Sequence, residues 1–162
     1  MSIRSHSEPC DAAMLQSPEE LQQPCAPNVY PVQSLSSRSG KIVVLNGFPG
    51  TGKLTILKRL QMYLPSDTTC LLDNHLLIDP VAAVIPDRSD NHHELRRLVR
   101  APIFAELGKR AKGGDTILMT ACLAADSQRD NDFYHEHVDI ARKNDVPIYW
   151  INLHCDPAIL EQ

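Results

Sequence analysis

The chain has 162 residues and a formal net charge of −4, which excludes the positive excess expected of a general nucleic-acid binder. No stretch approaches about 18 consecutive apolar residues, so no membrane-spanning helix is expected. The N-terminus lacks the apolar centre of a secretory signal, and its acids Glu8, Asp11, Glu19 and Glu20 do not suit a mitochondrial presequence.

Residues 1–40 are rich in Ser, Pro and Gln without a sustained period, and a disordered tail is expected there. Ser17 to Gln23 could form one helical turn, with Ser17 as cap and Pro18 at the first position. From Lys41 the pattern changes to alternating strand and helix. The first strand is expected over 41–46, and the first helix over 53–64, with Ile56, Leu57, Leu60 and Leu64 at helical spacing. A second strand is expected over 68–72. After it come Asp73-Asn74-His75 and an apolar, Pro-punctuated stretch to about Pro86. The second helix is expected over 91–112, its apolar side built from Leu95, Leu98, Val99, Ile103 and Leu107, with Pro102 as a kink. Gly113-Gly114 stops it. A third strand (116–121), a third helix (127–144) and a fourth strand (146–153) follow. Asp156-Pro157 reads as the cap and first turn of another helix. The five cysteines are scattered, with neither metal-ligand spacing nor a disulfide framework. Cys70, Cys122 and Cys155 lie in or beside apolar runs and are expected as small buried thiols. A reducing, cytoplasmic compartment fits.

Continuously apolar strands separated by helices indicate a mainly parallel sheet of about four strands, covered on both faces in a three-layer α/β/α arrangement. About 120 residues, 41–162, suffice for a single core. Ligands in such sheets sit at the carboxyl ends of the strands. Those ends carry the loop at Gly47, the Asp73 corner and Thr120-Ala121-Cys122.

The loop is the most informative segment. Gly47-Phe48-Pro49-Gly50-Thr51-Gly52-Lys53-Leu54-Thr55 joins the first strand to the first helix, as a phosphate-cradling P-loop (Walker A) does. Glycines let the backbone turn tightly and aim N–H groups at one anion. The helix start adds partial positive charge, and Lys53 supplies a full one for the terminal phosphates. A Gly/Pro turn with a solvated lysine is the plainer alternative, but it leaves the clustering of three glycines and a lysine unexplained. The hydroxyl that usually follows the lysine and meets Mg²⁺ comes one residue late, at Thr55, with Leu54 in its place. Thr55 is thus a candidate for phosphate or metal.

Asp73, closing the second strand, can accept the proton of a hydroxyl that attacks a γ-phosphorus, or order Mg²⁺-bound water. A turn or cap residue is its plainer role. Arg96 and Arg100, one turn apart, could grip an acidic substrate, although a solvated helix face is the plainer reading. Asp126, Arg129 and Asp130 could border an acceptor pocket. His135 and His137 point in different directions on a helix, so no metal site is expected there.

The run G-x-P-G-x-G-K-x-T resembles the loop of adenylate kinases and related P-loop kinases. With the Asp closing the second strand, the chain resembles small hydroxyl-phosphorylating P-loop kinases such as gluconate kinase, chloramphenicol phosphotransferase, zeta toxin and polynucleotide 5′-hydroxyl kinases. Residues 117–122 loosely resemble the third-strand motif of gluconate kinase, and 156–162 the helix leading to the lid. This resemblance implies a P-loop NTPase fold, ATP and Mg²⁺ as cofactors, a small-molecule hydroxyl as acceptor and Asp73 as its base. Two features depart from it. Thr120 stands where a Walker B acid is expected, and the chain stops at Gln162, before a lid with its arginines and a fifth strand. A truncated or fragmentary chain is one expectation, with an open sheet edge that invites self-association. A non-catalytic nucleotide-binding module, a nucleoside monophosphate kinase and a conformational NTPase remain as alternatives.

Overall fold

The computed structural model describes residues 40–154; the expected tail and the helix at Asp156 lie outside them. Strand β1 (Lys41–Asn46) leads through the loop into helix α1 (Lys53–Gln61). A 3₁₀ turn (Ser66–Thr68) precedes β2 (Thr69–Leu72), followed by α2 (His75–Val84) and α3 (Asp90–Lys112). Then come β3 (Thr116–Ala121), α4 (Gln128–Asn144) and β4 (Ile148–Asn152). The strands form one parallel sheet in the order β2-β3-β1-β4. Among the described residues, β4 pairs on one side only, with β1.

Alternation along the strands divides the core. Ile42 and Val44 of β1 and Ile117, Met119 and Ala121 of β3 face α2, α3 and α4, where they meet Leu77, Phe104, Leu107, Phe133 and Ile140. Leu45 and Leu118 point to the other face and meet Leu57 of α1. Ile42, Leu57, Ile117 and Leu118 are fully buried, each worth roughly 1.5–3 kcal/mol relative to exposure. Helices thus cover both faces, as the apolar strands require.

Two expectations are corrected, and one stretch without an assigned element gains one. The apolar stretch before Pro86 forms a helix, α2, despite the internal Pro80. Proline removes one N–H, but Leu77 and Val81, one turn apart, are buried, Leu77 within the main core, and this burial outweighs one missing bond. The inward stripe of α3 is His92, Arg96, Arg100, Phe104, Leu107, Gly108 and Ala111, while Leu98 is exposed. Arg96 and Arg100 therefore do not lie on a solvated face. Cys122 is exposed rather than buried, because it follows the last inward residue of β3 and already belongs to the rim. The element boundaries differ by a few residues: α1 ends at Gln61, and β4 starts at Ile148.

The carboxyl rim is tied together by one side chain. Asn46 Nδ2 donates to the Leu123 carbonyl (3.2 Å) and Asn152 Oδ1 (3.0 Å), and Asn46 Oδ1 accepts from the Leu123 N–H (2.8 Å). The ends of β1, β3 and β4 are thus held in register just below the loop.

Candidate functional site

The loop leaves β1 through a narrow gap. A Cβ at Gly47 would stand 2.8 Å from the Leu153 carbonyl oxygen, so only glycine passes without displacement of the backbone. Gly50 and Gly52 then adopt φ of 82° and 76°, the left-handed region where glycine carries no Cβ penalty. A Cβ at Gly52 would meet nothing within 4 Å, so the space above it is open. Gly52 caps α1 without a side-chain hydrogen bond, and α1 has no acid in its first turn. Its first N–H groups and its positive end are therefore available to an anion.

Lys53 folds over this bend. Its ammonium donates to the carbonyls of Gly47 (2.6 Å) and Phe48 (2.7 Å) and approaches Thr51 Oγ1 at 3.4 Å. Thr51 Oγ1 in turn donates to the Phe48 carbonyl at 2.8 Å. The charge thus sits inside the loop.

A cavity of about 420 Å³ opens here, lined by Pro49, Gly50 and Gly52 to Thr55 from the loop side. Its opposite wall is Asp73, Asn74, His75 and Thr120 to Cys122. All three segments expected at the rim thus meet in one space. Thr120 Oγ1 donates to Asp73 Oδ1 at 2.7 Å and accepts from the Asn74 N–H at 2.8 Å. The carboxylate is thereby fixed from the neighbouring strand, and its Oδ2 makes no hydrogen bond among the described residues. The sequence marks Thr120 only as a missing acid; its bond to Asp73 depends on β2 lying beside β3, which no local pattern reveals.

The remaining candidates separate. Arg96 and Arg100 line an adjoining cavity with Arg129 and Asp130. Arg100 is engaged by Glu136 through two bonds of 2.9 Å and lies 3.9 Å over the Phe133 ring. Asp126 is exposed and lines neither cavity. Arg88 and His93, not singled out by motif or spacing, also line the second cavity. The spacing of Arg88 from Arg96 and Arg100 was a partial hint, and nothing in the sequence marked His93. His137 is a core residue. Its Nδ1 pairs with the Phe133 carbonyl at 2.8 Å, and burial pushes its pKa down to about 4.

The residues fit a triphosphate: an open glycine bend, uncapped helix N–H groups and an ammonium border one cavity. For Mg²⁺ the protein ligands are few. Among the described residues no group of three or more His, Cys, Asp or Glu could hold a metal ion, while Thr55 and Asp73 both border the cavity. That donor set suits an ion held mainly by phosphates and water, as Mg²⁺ commonly is.

No protein-family model matches the chain, and no curated protein matches it. Among solved structures, it is similar to a provisionally assigned kinase from Chloroflexus aurantiacus, with TM-score 0.52 and 15% identity over 76% of this chain. The chain spans 64% of that structure's length. It is also similar to the Pnkp1/Rnl/Hen1 complex (TM-score 0.49, 16% identity, 80% of this chain and 40% of that one). A third is the APS kinase CysC of Mycobacterium tuberculosis (0.42, 14%, 71% and 76%). The first likeness bears on fold alone, and with the parallel sheet it shows a three-layer α/β fold shared with that structure.

Proposed function

We propose that the chain binds Mg²⁺–ATP at the glycine bend and transfers the γ-phosphoryl group to a small-molecule hydroxyl, in the cytoplasm. One observation carries this reading: Lys53 and a carboxylate held by a neighbouring strand, Asp73, border the same cavity. The amides of the bend and Lys53 hold the phosphates. Thr55 supports them or the metal. Asp73 Oδ2 receives the proton of the acceptor hydroxyl as its oxygen attacks phosphorus and the bond to ADP breaks. Bound Mg²⁺ neutralises phosphate charge. Thr120, in place of an acid at the end of β3, favours a second reading, a nucleotide-binding module without turnover.

Two variants test this. Lys53→Ala should remove most ATP affinity by calorimetry, and unchanged affinity would refute the loop assignment. Asp73→Asn should retain ATP affinity but lose phosphoryl transfer to a panel of sugar, nucleoside and antibiotic hydroxyls. If the unaltered chain binds ATP and transfers to none of them, the non-catalytic reading takes over.

A further inference from the structure

Beside the loop cavity lies a second, of about 350 Å³, sharing Pro49, Asn74, His75 and Cys122 with it. Its other wall is basic. Arg88, His93, Arg96, Arg100 and Arg129 line it, and Asp130 is the sole carboxylate among its lining residues. Two of these arginines are already matched. Arg100 holds Glu136, and Arg129 holds Asp90 at 2.9 Å. Asp130 is engaged as well, since its Oδ2 accepts from the Ala124 N–H at 3.0 Å.

Arg96 differs from all of them. It is only 9% exposed, and it makes no ion pair or hydrogen bond among the described residues. Its Nε is buried without an acceptor. A buried donor left unmatched is destabilising, the more so when it is charged. The surroundings sharpen the deficit. Burial first, then the nearby charges of Arg100 and Arg88, hold the Arg96 pKa below its usual value, against Asp130 and Glu136, which raise it. Burial, then Arg129 and Arg96, likewise lower the pKa of His93. The cavity therefore has a positive field and one guanidinium in need of an acceptor. A planar guanidinium matches phosphate or carboxylate oxygens through paired N–H bonds.

We propose that the acceptor compound bears an anionic group, phosphate or carboxylate, besides its reactive hydroxyl, and that Arg96 binds this group with help from Arg88. The proposal rests on the phosphotransfer reading for the word acceptor, but the anion site stands on its own geometry. With the anion in the second cavity, the shared wall at Asn74 and His75 leaves the hydroxyl end to reach Asp73 in the first.

The test is a titration of the chain, saturated with Mg²⁺ and a non-hydrolysable ATP analogue, with inorganic phosphate and separately with acetate. Arginine Nε–H resonances report binding. Phosphate, acetate or both should shift the Arg96 signal saturably, and the stronger of the two identifies the anion. Arg96→Gln should weaken that binding by about tenfold or more, as expected for a lost charge-assisted bond. Arg88→Gln, on the exposed rim, should weaken it less and decides the matter if the buried variant does not fold. Absence of saturation with either anion at millimolar concentration overturns the proposal, as does equal affinity in the folded variants. If the analogue itself fails to bind, the titration is repeated with Lys53→Ala, where the loop does not compete. Arg96-dependent binding there keeps the anion site while the phosphotransfer reading falls.

Discussion

Asp73 and Thr120 are 47 residues apart in sequence and meet because β2 and β3 are neighbours. At the end of β3, where an acid was expected, the Thr120 hydroxyl instead fixes the acid of the adjacent strand. Replacing that hydroxyl by a methyl group removes a bond to a charged group, worth roughly 1.5–3 kcal/mol. Thr120→Val should therefore lower kcat for transfer about ten- to a hundredfold while leaving ATP affinity intact, and Thr120→Ser should restore most of it. A Thr120→Val variant with unaltered kcat would show that the hydroxyl does not position Asp73 for the proposed transfer. The bend of the loop was legible because glycine conformation acts locally. The bond from Thr120 to Asp73 was not, because it depends on strand order.

At the scale of elements, α3 shows where periodicity misleads. Counting apolar residues assigns Leu98 inward and the arginines outward, and the fold does the reverse. A guanidinium can be buried when its plane stacks on an aromatic ring and its N–H groups meet a carboxylate. Phe133 and Glu136, one turn of α4 apart, supply both to Arg100. This pair, with the stacked rings of Phe104 and Phe133, joins α3 to α4. Gly108 tightens the same seam, for a Cβ there would collide with the Asn144 side chain. Glu136→Ala would leave Arg100 buried and uncompensated. The expected loss lies toward the lower end of the ~3–5 kcal/mol typical of breaking a buried pair, because Glu136 is 29% exposed. Chemical denaturation measures it, and an unchanged midpoint would show that the pair adds no stability. The helix α2 went unassigned for a different reason: proline argues locally against a helix, whereas the burial of Leu77 and Val81 depends on tertiary packing.

Across the whole molecule, strand count, parallel pairing and two-sided cover were legible, because continuous apolar strands between helices admit few other arrangements. What those patterns leave open is how the layer between α3, α4 and β4 is filled. His137 fills it, touching Phe104, Phe133 and Trp150. Its pKa falls from 6.5 to about 4, mainly through burial, while the hydrogen bond to the Phe133 carbonyl opposes the shift. The sign follows directly. Below about pH 6.5 the unfolded chain takes up a proton that the folded chain refuses, so stability declines as pH falls toward about 4 and this residue adds no further loss below that. The shift corresponds to about 3 kcal/mol. Denaturant midpoints between pH 7 and 4 should fall in the unaltered chain and fall less in His137→Phe; parallel slopes would assign the acid sensitivity to other groups.

The contacts of Lys53 bear on how a nucleotide enters. Its ammonium donates to the carbonyls of Gly47 and Phe48 and so ties the start of α1 back to the bend. In the proposed complex a triphosphate would compete with these carbonyls for the cation, and binding would exchange one set of acceptors for another. Removing the lysine therefore also frees two carbonyls to relax, and the resulting defect combines lost charge with an altered resting shape.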